Sequence, residues 1–411
     1  MTLADSAVRP QTILDPRIPL TRPGLGDAEV AAAQRVLRSG WLTQGPEVRA
    51  FEDELAAFVG ADHAIAVCNG TAALELALRA LGVGPGGEVV TVSHSFIATA
   101  NVVRRSGALP VFVDIAPGGF NIDPQQLAAA IGPKTQVILA VHQMGMPCDL
   151  AALAAIAETH GLPLVEDAAC AIGSEILWRG DWRRIGAPHG VIACFSFHPR
   201  KVLTTGEGGM VTTNDPDLAA RMRRLRVHSI DVDADVSHRS GVVTEQYAEP
   251  GFNMRMTDIQ AAIGRVQLAG LPETIARRRA LAAPYAQKLG AIAGIGLPQE
   301  PDWARSNWQS YCVGLPEGCD QYAVMRSLAA EGIASRRGIL CAHREPAYPV
   351  GSWSCRSGPR TCDCAGGACQ RLAESERAQD RAIQIPLFGA MLDAELDFVA
   401  ATLAHVCLAQ A

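Results

Sequence analysis

From residue 62 to residue 215, short apolar runs alternate with longer segments whose apolar positions recur every three or four residues. The runs HAIAV, EVVTV, LPVFVD, TQVILAVH, LPLVED, VIACFSF and GMVTTND are short, rich in β-branched residues and nearly free of charge, so they predict strands buried on both faces. The segments between them, TAALELALRALG, FIATANVVRRSG, DPQQLAAAIG and DLAALAAIAETHG, carry a helical period. Several close on glycine, a helix-stop signal. Strands joined by crossover helices predict a mostly parallel sheet sandwiched between helices, in which ligands bind at the carboxyl ends of the strands.

Two further helical segments precede this region, DAEVAAAQRVLRSG and PEVRAFEDELAAFVG. After it, DIQAAIGRVQLAGLPETIARRRALAAPYAQKLG reads as two helices, and beyond residue 297 short strands and helices mix in an α+β pattern. The expected organisation is a large domain over residues 1–260 with an N-terminal arm, and a smaller α+β domain over residues 261–411. The stretch GSWSCRSGPRTCDCAGGACQ interrupts the second domain as a Cys-rich insertion near residues 351–370. Its Cys355, Cys362, Cys364 and Cys369 are enough thiols for a tetrahedral zinc site. Their spacing is not that of paired C-x2-C knuckles, and the leading expectation is a reduced loop with no metal.

Composition narrows the function. The chain is 48% hydrophobic and 19% charged, with a net charge of −6. No basic stripe points to nucleic acid and no apolar run is long enough for a membrane span. No apolar signal segment opens the chain, so the expected compartment is the cytoplasm. Lysine usage is more telling: of 36 basic residues only Lys134, Lys201 and Lys288 are lysines. A chain that takes arginine for its ordinary charge and still keeps a lysine raises the expectation of amine chemistry, which guanidinium cannot perform. Lys134 sits in a polar turn and Lys288 near a helix end. Lys201 sits in FSFHPRKVLTTGEGG, between two predicted strands at the sheet's functional edge.

Three other stretches fall at the same edge. In CNGTAALELAL, Gly70 and Thr71 open a helix and offer backbone N–H groups and a hydroxyl, either as an anion site or as a simple cap. In VSHSFIATAN, Phe96 ends a strand, where it either covers a flat ligand or joins the core. In LPLVEDAAC, Asp167 ends a buried strand, where it either meets a cationic partner or caps the next turn. Ser196 adds a second hydroxyl, and Gly206, Gly208 and Gly209 are expected to let the backbone turn closely around whatever Lys201 holds. A phosphate cradle, an aromatic lid, a carboxylate for a pyridinium nitrogen and an imine-forming lysine together match the needs of pyridoxal 5′-phosphate (PLP).

In this order, SGWLTQGPEVRAFEDELAAFVG, NGTAALELAL, VHQMGMPCDL, VEDAACAIGSE, SFHPRK, GEGGMVTTND, GFNMRMTDIQAAIGRVQL and IPLFGAMLDAELDFV resemble the DegT/DnrJ/EryC1/StrS aminotransferases. These are the sugar-aminotransferase branch of the fold-type I PLP enzymes, and the resemblance spans nearly the whole chain. It implies that Lys201 is the Schiff-base lysine and moves the proton, that Asp167 partners the ring nitrogen, and that Gly70, Thr71 and Ser196 hold the phosphate under Phe96. Asn253 and Arg255 are implied to reach into the site of a second subunit, giving a homodimer with shared sites. Cys170 stands where the family usually carries His or Gln beside the cofactor's 3′-oxygen, and a thiol is a weak donor there. Arg337, His343 and Arg344 are candidate substrate contacts or solvated surface charges, and His198 is a local structural residue or an acid–base group at the substrate.

The implied reaction passes an amino group from L-glutamate or L-glutamine, through PLP and its pyridoxamine form (PMP), to a nucleotide-linked keto-deoxysugar. A keto-cyclitol or another secondary-metabolite ketone is the alternative acceptor. A PLP-binding regulatory protein without turnover is the rival of another class. A lysine at position 201, where some relatives that act as dehydratases carry histidine, favours transamination.

Overall fold

The computed structural model describes residues 17–232, 245–356 and 369–410. Its centre is a seven-stranded sheet of β1 (His63–Val67), β2 (Glu88–Val92), β3 (Leu109–Val113), β4 (Thr135–Val141), β5 (Leu164–Asp167), β8 (Ile192–Ser196) and β9 (Gly209–Thr213). The spatial order is β1-β9-β8-β5-β4-β2-β3. Five of these strands, from β3 to β8, run parallel, and β9 lies antiparallel to both β8 and β1.

All seven predicted strands are present. Both faces of the sheet are buried, and the two-residue strand period divides its side chains between two cores. Ile138, Ala140, Phe195 and Met210 join one core with Phe51 and Leu55 of α2 (Pro46–Val59). Val137, Leu139, Cys194 and Val211 join the other with Leu76 and Leu78 of α3 (Gly70–Ala80). This double coverage explains why the strands read as uniformly apolar.

The predicted helices also form: α1 (Asp27–Ser39), α4 (Ala98–Arg105), α5 (Pro124–Ala130) and α6 (Leu150–His160); α7 (Pro216–Leu225), which follows the last strand of the sheet, was not among those expected. Left-handed glycines Gly40, Gly60 and Gly161 cap α1, α2 and α6 as the pattern predicts. α5 differs: it leaves the helix at Ile131 in an extended conformation, and the N–H of Gly132 is taken by the Thr135 hydroxyl at 2.9 Å. The hairpin of β6 (Glu175–Trp178) and β7 (Asp181–Arg184) and the short pair β10 (Ile230–Val232) and β11 (Glu245–Tyr247) were not expected: β6 has only three consecutive apolar residues, and the others are interrupted by charged or polar side chains.

The predicted helix pair is α8 (Asp258–Ala269) and α9 (Leu271–Leu289). Leu271 and Ile275 of α9 pack into the sheet's core, whereas Leu281, Ala282, Tyr285 and Leu289 pack into a third core. That core also takes side chains from β13 (Tyr311–Gly314), α10 (Gln321–Ala330), β15 (Ala382–Ile385) and α12 (Asp393–Leu408). A small antiparallel sheet, β13-β15-β14 with β14 at Arg336–Arg337, lies in this region; β12 (Ala304–Arg305) pairs instead with β6, and α11 (Ala373–Arg381) leads into β15. Among the described residues, no helix is long and apolar enough to cross a membrane.

Candidate active site

The carboxyl ends of β2, β4, β5 and β8 all open onto one cavity of about 510 Å³. This is where a parallel sheet with crossover helices exposes backbone and strand-end side chains. β14 and β15 close it from the opposite side, through Arg336, Gln384 and Ile385.

Lys201 lies in the connection from β8 to β9. Because those strands are antiparallel, the connection stays at the cavity edge. Its N–H donates to the His198 carbonyl at 2.8 Å, closing a turn that aims the side chain inward. Its Nζ donates to Cys170 Sγ at 3.0 Å. The carboxamide of Gln309 fixes both flanks of the lysine: Oε1 accepts from the Val202 N–H at 2.9 Å and Nε2 donates to the Arg200 carbonyl at 2.5 Å.

The two acids that end β5 have opposite fates, as successive strand residues must. Glu166 faces away from the cavity, where it bonds His142 Nε2 at 3.0 Å and the Gly190 N–H at 3.1 Å. Asp167 lines the cavity. Its carboxylate accepts from the Thr99 hydroxyl at 2.9 Å and the Ala169 N–H at 3.2 Å. Burial pushes the Asp167 carboxyl above the usual aspartate range, against the pull of Thr99, Ala169 and the Lys201 charge. The site thus holds a carboxylate that would gain from a cation in the cavity.

At the start of α3, Asn69 caps the helix by accepting from the Ala72 N–H at 2.8 Å. The Ala73 N–H goes to the Asn69 carbonyl, which leaves the N–H groups of Gly70 and Thr71 at the open end of the helix, facing the cavity. Gly70 is required by its neighbour, since a Cβ there would stand 2.6 Å from Ser196 Cβ and 3.0 Å from its Oγ. Gly70, Thr71 and Ser196 therefore form one concave corner. Of the glycines expected to turn around Lys201, only Gly206 has a left-handed backbone, with φ of 81°. Gly209 serves the cradle instead: a Cβ on it would stand 2.5 Å from the Asn69 carbonyl oxygen, so glycine lets β9 run close beneath the start of α3.

Phe96 is 65% exposed and lines the cavity, so it is not a core residue. His198 is half-buried at the cavity wall, its Nδ1 accepting from the Arg200 N–H at 3.2 Å. Burial lowers its pKa, as do the nearby charges of Arg200 and Lys201, against the opposing pull of Glu207.

Three candidate substrate residues lie elsewhere. His343 is buried between the Ser93 hydroxyl at 2.7 Å and Glu376 at 2.9 Å, so its ring is used up in packing. Arg344 pairs with Asp380 at 2.7 Å, and Arg337 points toward Glu345 at 4.0 Å. The strand period explains the last: Arg337 is on the outer face of β14 while Arg336, one residue earlier, lines the cavity. Asn253 is exposed, Arg255 is half-buried, and neither lines this chain's cavity. Their segment is held to the strand before α3 by the Cys68 N–H donating to the Met254 carbonyl at 2.9 Å. Cys355 and Cys369 are buried in a small apolar cluster with Trp353 and Leu372, and Cys362 and Cys364 lie outside the described residues. Thr99, Gln309 and Arg336 were missed as site residues. No local motif marks them, because each reaches the cavity only through the tertiary fold.

Set beside known proteins, residues 23–404 match the profile of the DegT/DnrJ/EryC1/StrS aminotransferase family. The aminotransferase TlmJ from Streptoalloteichus hindustanus is 32% identical, with 95% of this chain and 99% of that chain covered at a TM-score of 0.84. DesV from S. venezuelae, solved in complex with a ketimine intermediate, is 34% identical, with 95% of this chain and 99% of that chain covered at a TM-score of 0.84. The putative sugar aminotransferase Spr1654 from Streptococcus pneumoniae, in its PMP-form, is 27% identical, with 96% of this chain and 100% of that chain covered at a TM-score of 0.88.

Proposed function

The chain belongs to the DegT/DnrJ/EryC1/StrS aminotransferase family, and from that premise we propose that it moves an amino group from L-glutamate or L-glutamine to a nucleotide-linked keto-deoxysugar, using PLP and its PMP form. It is an aminotransferase, and the family's solved members include sugar aminotransferases. The observation that carries the cofactor part of this reading is the convergence of Lys201, Asp167 and the open helix end at Gly70–Thr71 on one cavity, and the sugar acceptor is supported by the likeness to sugar aminotransferases.

The residues fit the cofactor. The corner beside Gly70 is kept open by the absence of a side chain, as a phosphate cradle requires. The buried Asp167 carboxylate is unfavourable as it stands, and a protonated ring nitrogen would relieve it. PLP, when bound, supplies an aldehyde that condenses with amines and a ring that takes up an electron pair from the donor's α-carbon.

The chain's own groups do the rest. Gly70, Thr71 and Ser196 would hold the phosphate through backbone N–H groups and hydroxyls. Asp167, itself oriented by Thr99, would keep the ring nitrogen protonated. Phe96 would cover one face and exclude water. Lys201 would anchor the aldehyde carbon through Nζ and, once displaced by the donor's amine, move the proton between the donor's α-carbon and the cofactor's C4′. Cys170 Sγ would keep the free amine within reach of both atoms. Asn253 and Arg255 would complete the site of a second copy, making the working unit a homodimer.

Borohydride reduction of the purified holoenzyme tests the anchor. Peptide mapping is expected to find a reduced pyridoxyl group on Lys201, and Lys201→Ala to abolish the visible imine band and turnover together. A reducible imine that persists in Lys201→Ala would overturn the assignment.

A further inference from the structure

The cavity contains a guanidinium that none of these roles uses. Arg336 is half-buried on the inner face of β14, beside Gln384 of β15, and both side chains line the cavity. Gln384 donates to the Gly338 carbonyl, which fixes the bend that follows β14. The Arg336 backbone pairs with Gln384 in the sheet, but among the described residues the Arg336 guanidinium has no hydrogen bond or ion pair with a protein acceptor.

Neither acid in the cavity wall serves it. Asp167 is engaged by Thr99 and Ala169. The Glu207 charge acts on Cys68 and His198, toward the helix end. The groups that act on Arg336 are two guanidiniums, Arg200 and Arg337, and two thiols, Cys170 and Cys312, with no carboxylate among them. Burial and the facing Arg200 both weaken its hold on its proton. A half-buried cation among cations is costly until an anion arrives.

We propose that Arg336 receives the α-carboxylate of the amino donor. This rests on the aminotransferase reading of the same cavity. The location selects the anion. Cys170, whose sulfur touches Lys201 Nζ, is among the groups that act on Arg336. In an amino acid the α-carboxylate is bonded to the carbon that bears the reacting amine, so wherever that amine meets the Lys201 position its carboxylate lies close by. The diphosphate of a nucleotide-linked sugar, by contrast, is separated from a reacting 3- or 4-ketone by one or more ring carbons and its glycosidic oxygen. The planar fork of guanidinium also suits a carboxylate held in two hydrogen bonds, which is the arrangement that would orient the α-hydrogen toward Lys201.

The test uses the holoenzyme and two α-methyl amino acids, 2-methyl-L-glutamate and 2-methyl-L-glutamine. They carry the donor's groups but no α-hydrogen, so binding is read from the cofactor's absorbance without turnover. In Arg336→Gln both dissociation constants should rise at least about tenfold, with partial recovery in Arg336→Lys. Binding of a nucleoside diphosphate hexose and the reducible imine at Lys201 should be unchanged. The retained imine also shows that the variant has folded. A loss confined to 2-methyl-L-glutamate would move the contact to the side-chain carboxylate. Unchanged binding of both probes, or a loss confined to the nucleotide sugar, would equally overturn the proposal. Failure of the underlying reading is distinguishable, since it would remove the imine from the unaltered protein.

Discussion

Gln309 straddles Lys201: one carboxamide accepts from the N–H of Val202 and donates to the carbonyl of Arg200, pinning the backbone on both sides of the reactive residue. The carbonyl of Gln309 is held in turn by the buried guanidinium of Arg278 at 2.7 Å, which also takes the carbonyls of Trp308 at 2.8 Å and Leu387 at 3.0 Å. Burial lowers the Arg278 pKa to about 10, still high enough for it to be charged at neutral pH. A chain of hydrogen bonds therefore runs from the third core to the lysine that the sheet presents.

Replacing Gln309 with Leu should keep a reducible imine and slow turnover. Two backbone bonds of about 1 kcal/mol each are lost, and a misplacement of roughly an ångström can slow proton transfer by about a hundredfold. The expected signature is a fall in kcat with little change in donor KM. Gln309→Glu, which keeps only the accepting half, should lie between the two. An unaltered kcat in Gln309→Leu would show that the lysine needs no brace.

Gly70→Ala should separate the cradle from the rest of the site. The new methyl would stand 2.6 Å from Ser196 Cβ, inside any normal contact, so either the start of α3 or β8 must shift. Overpacking of this kind costs about 1–3 kcal/mol. Titration of the apoprotein with PLP should show a dissociation constant raised by at least about tenfold, while Lys201 still forms an imine at saturating cofactor. Ser196→Ala leaves Cβ in place and should not relieve the clash in the double variant. Unchanged cofactor affinity would place the phosphate elsewhere.

Much of this architecture was legible because the sheet is buried on both faces. Its strands stand out as apolar runs, and the functional residues sit at their ends, where the chain turns from strand to helix. The reading failed where packing, not pattern, decides. Arg336 and Arg337 are adjacent and chemically identical, and only the pairing of β14 with β15 settles which faces the cavity. His343 looked like a substrate contact because its buried partners, Ser93 and Glu376, are remote in sequence. The β6–β7 hairpin was unread because Asp181, Arg183 and Arg184 interrupt any apolar alternation.

Cys170 lines the cavity beside an amine, unlike the thiols of Cys148 and Cys194, which burial pushes far up in pKa and out of reach. Iodoacetamide should therefore label Cys170 of the apoprotein well before those two, and loading with PLP should protect it. Cys170→Ser should retain the imine with at most a several-fold loss in kcat, since a hydroxyl can still face the lysine. Peptide mapping by mass spectrometry reads the labelling order. Equal labelling with and without PLP would place the thiol outside the cofactor's footprint.

Asp167 offers a test in which stability and activity move in opposite directions. Burial raises its folded-state pKa above the ordinary value of 3.8. Below that value the group is protonated in both folded and unfolded chains and has no effect. As pH rises through the window between 3.8 and the raised value, the unfolded chain releases its proton first, so stability falls, and the full loss is in place above the folded pKa. Asparagine has the same shape and cannot ionise. Its amide can donate to the Thr99 hydroxyl, which then turns to donate to Ser95, 2.8 Å away. Apo Asp167→Asn should therefore melt higher than the apo wild type at pH 7, with the gap closing as pH falls toward 4. Cofactor binding should reverse the order, because only the carboxylate gains from a protonated ring nitrogen, and turnover should drop by at least about a hundredfold. Melting curves of both proteins, with and without PLP across this pH range, provide the check. An apo variant less stable than wild type at pH 7, together with an equal gain from PLP, would remove Asp167 from the ring nitrogen.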